Sequence, residues 1–235
     1  MDQNGALVAS YARDKGFEGV LVRYDRNGTL DTSFDPTAVE RAVAITTDGA
    51  FVTAGRTRDD DPRRFLARRV TRDGQVDASF GGGAVVIPDV DRGSGDIRVA
   101  ARIGGGLVMV GTSGDAPSKV FVARLDGTGT LDATFGGRGY VLHDLGHVAI
   151  GTIAELADGS VMLAGGLGDD PLAFRALAVR LAPDGSLDAS FGESGRVVVD
   201  QGESFFAGLV VMADGEVVAG GFLGQSALLA TFSAP

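Results

Sequence analysis

Apolar residues alternate with polar or small ones in short bursts along this chain. The clearest bursts run from Val20 to Tyr24, Phe65 to Val70, Val120 to Leu125, Leu177 to Leu181 and Leu228 to Phe232. Alternation of this kind places every second side chain on one face of a half-buried β-strand, and no stretch keeps a helical period for the length of an ordinary helix. A second burst precedes each of these: "TDGAFVTAG" at 47–55, "GGGLVMVG" at 104–111, "ADGSVMLAGG" at 157–166 and "ADGEVVAGG" at 213–221, with "QNGALVAS" at 3–10 as a fifth copy. Further strands are predicted ahead of them at "ERAVAIT", "DIRVAARI", "GTIAELA" and "AGLVVMA", and behind them at "AVVIPDV", "YVLHDL" and "RVVVD". The pattern predicts a unit of four short strands, written several times.

One phrase marks each copy: "RYDRNGTLDTSF" at 23–34, "RVTRDGQVDASFGGG" at 69–83, "RLDGTGTLDATFGGRG" at 124–139 and "VRLAPDGSLDASFGESG" at 179–195. Its closing phenylalanines, Phe34, Phe80, Phe135 and Phe191, are 46, 55 and 56 residues apart. Such a period is the signature of a repeat architecture. Asn27-Gly28, Asp48-Gly49, Asp158-Gly159 and Asp184-Gly185 supply the positive φ of two-residue hairpins. An arginine stands five residues before each phrase glycine and an aspartate three after it, giving the pairs Arg23/Asp31, Arg69/Asp77, Arg124/Asp132 and Arg180/Asp188. Ion pairing within each couple would hold the exit of its unit, and the phenylalanine would wedge apolar surface between neighbouring units. The alternative is four repeated Arg–Asp binding sites.

Four strands per repeat, repeated radially, describe an all-β fold of the β-propeller type. The phrase "dG.lD.sFG..G", following a strand that ends in Arg-Leu or its like, resembles the delta-60 repeat of bacterial proteins, itself similar in layout to NHL repeats. The resemblance implies a fold and carries no catalytic residues with it. It leads to one domain over residues 1–235, with five blades and irregular closure at the termini. The unit after Phe34 is expected to lack its outer strand, and the first copy its innermost one.

Composition narrows the chemistry. Glycine supplies 37 of 235 residues, which suits a chain of many tight turns. A net charge of −10 argues against a phosphate-binding surface and so against nucleic acid. No apolar run is long enough to predict a membrane span, and the chain has no cysteine for disulfides or thiolate metal sites. The start reads as no signal peptide, so the location is cytoplasmic unless a leader has been removed, in which case it is secreted or at the cell surface. P-loop, dinucleotide and G-x-S-x-G motifs do not occur.

Candidate chemistry lies where the copies differ. The two histidines, His143 and His147, fall in one unit; His143 with Asp144 is a weak metal candidate, and a solvated loop pair is the plainer reading. Asp89, Asp144 and Asp200 each follow a phrase phenylalanine by nine residues and read as a solvated rim. Glu40, Asp96, His147 and Glu203 enter the innermost strands and are expected at one channel mouth, where converging carboxylates suit Ca²⁺ or acid–base work. The mixed-charge stretch 56–69 reads as a solvated hairpin or a partner loop. Two functions follow as expectations: a non-enzymatic binding or scaffold propeller, alone or within a larger bacterial surface or secreted protein, taking a small molecule or a protein; or a hydrolase, lyase or cyclase acting on a small molecule or glycoside at the channel mouth. The lack of tryptophan weakens sugar chemistry, which favours aromatic stacking platforms.

Overall fold

The computed structural model describes residues 7–12, 19–34, 38–39, 42–57, 64–91, 97–102, 105–113, 119–170 and 173–233. Among them lie five antiparallel sheets and no α-helix. The first sheet holds β1 (Leu7–Ala12), β2 (Gly19–Tyr24) and β3 (Ala38–Val39). The second holds β4 (Ala42–Ile45), β5 (Phe51–Arg56), β6 (Arg64–Val70) and β7 (Val85–Asp91). The third holds β8 (Arg98–Ala101), β9 (Leu107–Ser113), β10 (Lys119–Leu125) and β11 (Tyr140–His143). The fourth holds β12 (Val148–Glu155), β13 (Val161–Leu167), β14 (Arg175–Leu181) and β15 (Arg196–Val198). The fifth holds β16 (Ser204–Val211), β17 (Val217–Leu223) and β18 (Ser226–Phe232). Within each sheet the strands lie in chain order, which is the meander of a propeller blade.

The chain divides into two compact units, residues 1–93, 99–109 and 124–131 in one, and 94–98, 110–123 and 132–235 in the other. The first unit contains the first two sheets, the second unit the last two, and the third sheet has strands in both. In the first unit Leu21, Phe34, Phe51 and Val70 form a core, with the Phe34 and Phe51 rings edge to face at 5.8 Å. In the second unit Leu156, Met162, Ala164, Ala176, Ala178, Phe206, Val217 and Ala219 form another, backed by Phe191 and Phe232.

The alternation of the sequence is reproduced closely, because each strand must hide one face. β13 and β14 are buried over nearly their whole length, as strands covered on both sides are. Three expectations need correction. The first sheet does have an outer strand: Ala38–Val39 pairs with Gly19 and Val20, and only at Ala42 does the chain start the next sheet. "ERAVAIT" hid this because its apolar run follows an outer strand two residues long. The turns are not two-residue hairpins. Asp25 N donates to Thr29 O and Gly28 N to Asp25 O, a spacing repeated at Thr46–Ala50, Thr71–Gln75, Asp126–Thr130, Leu156–Ser160 and Ala182–Ser186. The loop therefore has three residues, and only its glycine needs a positive φ, as at Gly28 (80°) and Gly185 (88°). Third, Phe34, Phe80 and Phe135 are buried, whereas Phe191 is half-buried, its ring 5.4 Å from that of Phe232.

Beyond each turn the phrase folds back on the strand before it: Tyr24 bridges Leu30, Val70 bridges Val76, Leu125 bridges Leu131 and Leu181 bridges Leu187. Its exit then reaches the next copy. Gly81 N donates to Thr128 O at 2.8 Å, and Gly136 N to Asp184 O at 2.7 Å. The phrase is thus a clasp between neighbouring repeats.

Candidate functional site

The arginine–aspartate couples serve this clasp. Arg23 Nη2 lies 2.7 Å from Asp31 Oδ2, Arg69 Nε 3.7 Å from Asp77 Oδ2, and Arg180 Nε 3.2 Å from Asp188 Oδ2. Arg124 is buried and Asp132 half-buried. The aspartate also fastens its own backbone. Asp31, Asp77, Asp132 and Asp188 each accept from the amide and hydroxyl of the Ser or Thr two residues on, at 2.6–3.1 Å. Sequence reasoning missed that hydroxyl, although "DTS", "DAS" and "DAT" display it in every copy. It also read Asp48 and Asp158, between the first and second strands, only as turn residues and missed that they pair with the phrase arginines. Arg69 pairs with Asp48, and Arg180 Nη2 donates to Asp158 Oδ2 at 3.1 Å, so one guanidinium joins two turns of its sheet.

These contacts set the electrostatics. The Ser33 hydroxyl, then the Arg23 guanidinium, lower the Asp31 carboxyl to about 2. The Thr46 hydroxyl lowers Asp48, and the Ser190 hydroxyl lowers Asp188. Burial works against the charge on Asp158, but Ser160 and Arg180 outweigh it and its pKa also falls. All are held as anions inside hydrogen-bonded turns, which is structural work.

Of the other candidates, His147 and Glu203 lie at the opposite end of the strands of their sheets. In the second unit His147 precedes β12, and its Nδ1 lies 2.8 Å from Asp169 Oδ1 in the loop after β13. Arg175, opening β14, places Nη1 3.4 Å from Asp200 Oδ1. Glu203, just before β16, is exposed, and its carbonyl accepts from Gly224 N at 2.7 Å. The registers put these loops at one end of their sheets, since Val148 faces Leu167, Leu167 faces Arg175, and Ser204 faces Leu223. Ser204 N also donates to Phe174 O at 2.7 Å, tying the fifth sheet's first strand to the fourth sheet beside these charges.

Glu40 and Asp96 lie outside the described residues, as does the middle of the mixed-charge stretch, 58–63. The two histidines are not brought together as ligands: His143 Nε2 is 2.8 Å from Gly185 O in the next phrase's turn, while His147 pairs with Asp169. Asp144 is exposed and accepts from Gly146 N at 3.3 Å; Asp89 lies within β7. Among the described residues no three His, Cys, Asp or Glu side chains are grouped so as to hold a metal ion. Among them also, no helix is long and apolar enough to cross a membrane.

A family model described as a domain of unknown function (DUF5122) beta-propeller matches residues 7–34 and 156–191, two stretches that each end on a phrase phenylalanine. No curated protein matches the chain. Among solved structures, a protein of unknown function from Dyadobacter fermentans is 13% identical, with a TM-score of 0.51 over 94% of this chain and 65% of its own. TolB from Acinetobacter baumannii is 14% identical, with a TM-score of 0.49 over 97% of this chain, which spans about half (51%) of TolB. A hypothetical protein from Leishmania major is 16% identical, with a TM-score of 0.44 over 100% of this chain and 86% of its own. The family match and the strand order agree on an all-β fold of the β-propeller type.

Proposed function

We propose that residues 1–235 form one propeller of five delta-60-type blades, and that it is a binding module rather than an enzyme. Its ligand, a small molecule or a protein, meets the strand-entry loops that carry Glu40, Asp96, His147 and Glu203. The observation behind this reading is the division of labour between the two ends of the sheets. At the phrase end, repeated charges are spent on one another within turns. At the entry end of the fourth and fifth sheets, His147, Asp169 and Glu203 are exposed, and the strand-entry position they flank changes from Glu40 to Asp96, His147 and Glu203 between copies. Variable polar loops on a rigid scaffold are the usual seat of recognition. The hydrolase, lyase or cyclase reading rests on the His147–Asp169 pair, a histidine oriented by a carboxylate as an acid–base group is.

The test uses isotopically labelled protein titrated with CaCl₂ and with a panel of polar small-molecule fragments, beside a turnover assay on p-nitrophenyl glycosides. Ligand-dependent shifts are expected at residues 144–147, 168–170 and 200–203, and should vanish in the variant Glu40→Gln/Asp96→Asn/His147→Ala/Glu203→Gln. Shifts confined to the phrase turns would reject the location. Glycoside turnover that the variant loses would replace binding by catalysis.

A further inference from the structure

The entry end of the fourth and fifth sheets carries a row of three phenylalanine rings. Phe174, just before β14, lies 6.0 Å from Phe205 in β16. Phe205 in turn lies 6.1 Å from Phe222 in β17 and nearly parallel to it, at 17°. Glycine makes room for the first two rings. A Cβ at Gly166 would come within 2.7 Å of the Phe205 ring and 2.9 Å of Phe174 Cβ, and one at Gly151 within 3.1 Å of the Phe205 ring. Phe174 and Phe205 are half-buried, and the row ends on Phe222, which is 38% exposed. A packed aromatic row thus leaves its last ring open to water.

A carboxylate stands at the same end. The pairing of β16 with β17 continues one step past Ser204, where Glu203 O accepts from Gly224 N at 2.7 Å. Glu203 is therefore at the end of the strand pair that carries Phe205 and Phe222. A Cβ at Gly224 would meet nothing within 4 Å, so the place beside it is open. In the adjoining loops Asp169 is answered by His147 and Asp200 by Arg175. Among the described residues no cation meets the Glu203 carboxylate. An open ring and an unanswered carboxylate favour the same visitor, a cation with an apolar surface, because the face of the ring carries the negative part of its quadrupole.

We propose that this end of the fourth and fifth sheets takes a small alkylated ammonium ion, its methyl groups on the Phe222 ring and its charge toward Glu203. The inference rests on the binding reading above and adds the chemical class of the ligand to it. One open ring and one unanswered carboxylate match a single cationic head, not an extended chain. A hydrated metal ion would leave the ring unused, and an anion would meet Asp169, Asp200 and Glu203 with Arg175 already engaged.

The probe is choline chloride, exchanged for sodium chloride at constant ionic strength and titrated into the labelled full chain. Saturable amide shifts are expected at residues 203–206 and 221–225. Neohexyl alcohol, the uncharged carbon isostere of choline, should bind at least about fivefold more weakly. Phe222→Leu keeps an apolar side chain and loses the ring, and Glu203→Gln keeps the size and loses the charge. Each should weaken choline binding by about fivefold or more with the circular dichroism unchanged. Glu203 is exposed, so Glu203→Gln carries the test alone if Phe222→Leu does not fold. The proposal falls if choline moves none of these amides, if the alcohol binds as well as choline, or if the folded variants bind choline like the wild type. When the alcohol or another fragment shifts the entry loops and choline does not excel, the location stands and only the ligand class fails. Entry loops that answer neither choline nor any fragment overturn the binding reading as well.

Discussion

At the scale of single residues, the most consequential side chain described is Arg180. It is 5% exposed, and it meets Asp158 of one turn and Asp188 of another. Arg180→Met keeps much of the stem's packing but leaves two carboxylates facing each other without a cation, so a loss of about 2–3 kcal/mol is expected by urea denaturation. Arg23→Met breaks a single, more exposed pair, and the contact of its guanidinium with the Phe34 ring at 4.9 Å, so about 1 kcal/mol is expected. Equal losses would mean that the second aspartate adds nothing. These carboxylates also set an acid limit. Asp31, Asp48, Asp158, Asp184 and Asp188 all have pKa values below the ordinary 3.8 in the folded chain. A lowered folded pKa gives stability that is complete above the unfolded value and is lost as protons bind on the way down. The urea midpoint should therefore fall as pH drops from about 4 toward about 2, and Asp31→Asn should make that fall shallower. A midpoint that stays flat across this window would detach the turns from stability.

At the scale of elements, a positive φ asks for glycine in each turn, and the clasp adds a steric demand at some of them. A Cβ at Gly185 would meet Val141 Cγ1 at 2.8 Å and Phe135 Cζ at 3.2 Å, besides being strained at φ 88°. At Gly49 the strain is similar, φ 82°, but nothing lies within 4 Å. Gly185→Ala is thus expected to cost about 2–4 kcal/mol and Gly49→Ala about 1–2 kcal/mol, measured by thermal and urea unfolding. The wedges should grade in the same way. Phe135→Ala removes a wholly buried ring and should cost about 3–5 kcal/mol, and Phe191→Ala, half-buried, clearly less. If Phe191→Ala proves as costly as Phe135→Ala, the clasp is not what gives the phrase its value. The strands are readable from alternation alone, which locates the third strand of each copy to within two residues at either end. The turn type is not, because Asn27-Gly28 or Asp48-Gly49 suits both a two-residue hairpin and a three-residue loop. Only the bond from Gly28 N to Asp25 O separates the two.

At the scale of the whole molecule, the repeat period carries the fold, since four phrases in phase leave few other architectures for so much alternation. The candidate site is far less readable. Ion pairs inside a repeat recur with it and so declare themselves, whereas His147 has no histidine counterpart in the other copies, and its partner Asp169 lies 22 residues on, in another loop. The sheets also finish unequally. In the fourth sheet β13 and β14 are buried on both faces, whereas most of β18 and the end of β16 are exposed. Repeat architectures add stability largely through nearest-neighbour interfaces, so a sheet covered on one face should open at lower cost than one covered on two. Amide exchange followed by mass spectrometry should find peptides from 217–232 opening with a free energy lower than those from 161–181 by on the order of 2 kcal/mol. Should both regions exchange alike, the fifth sheet is covered after all, and the exposed faces of β16 and β18 do not lower its stability.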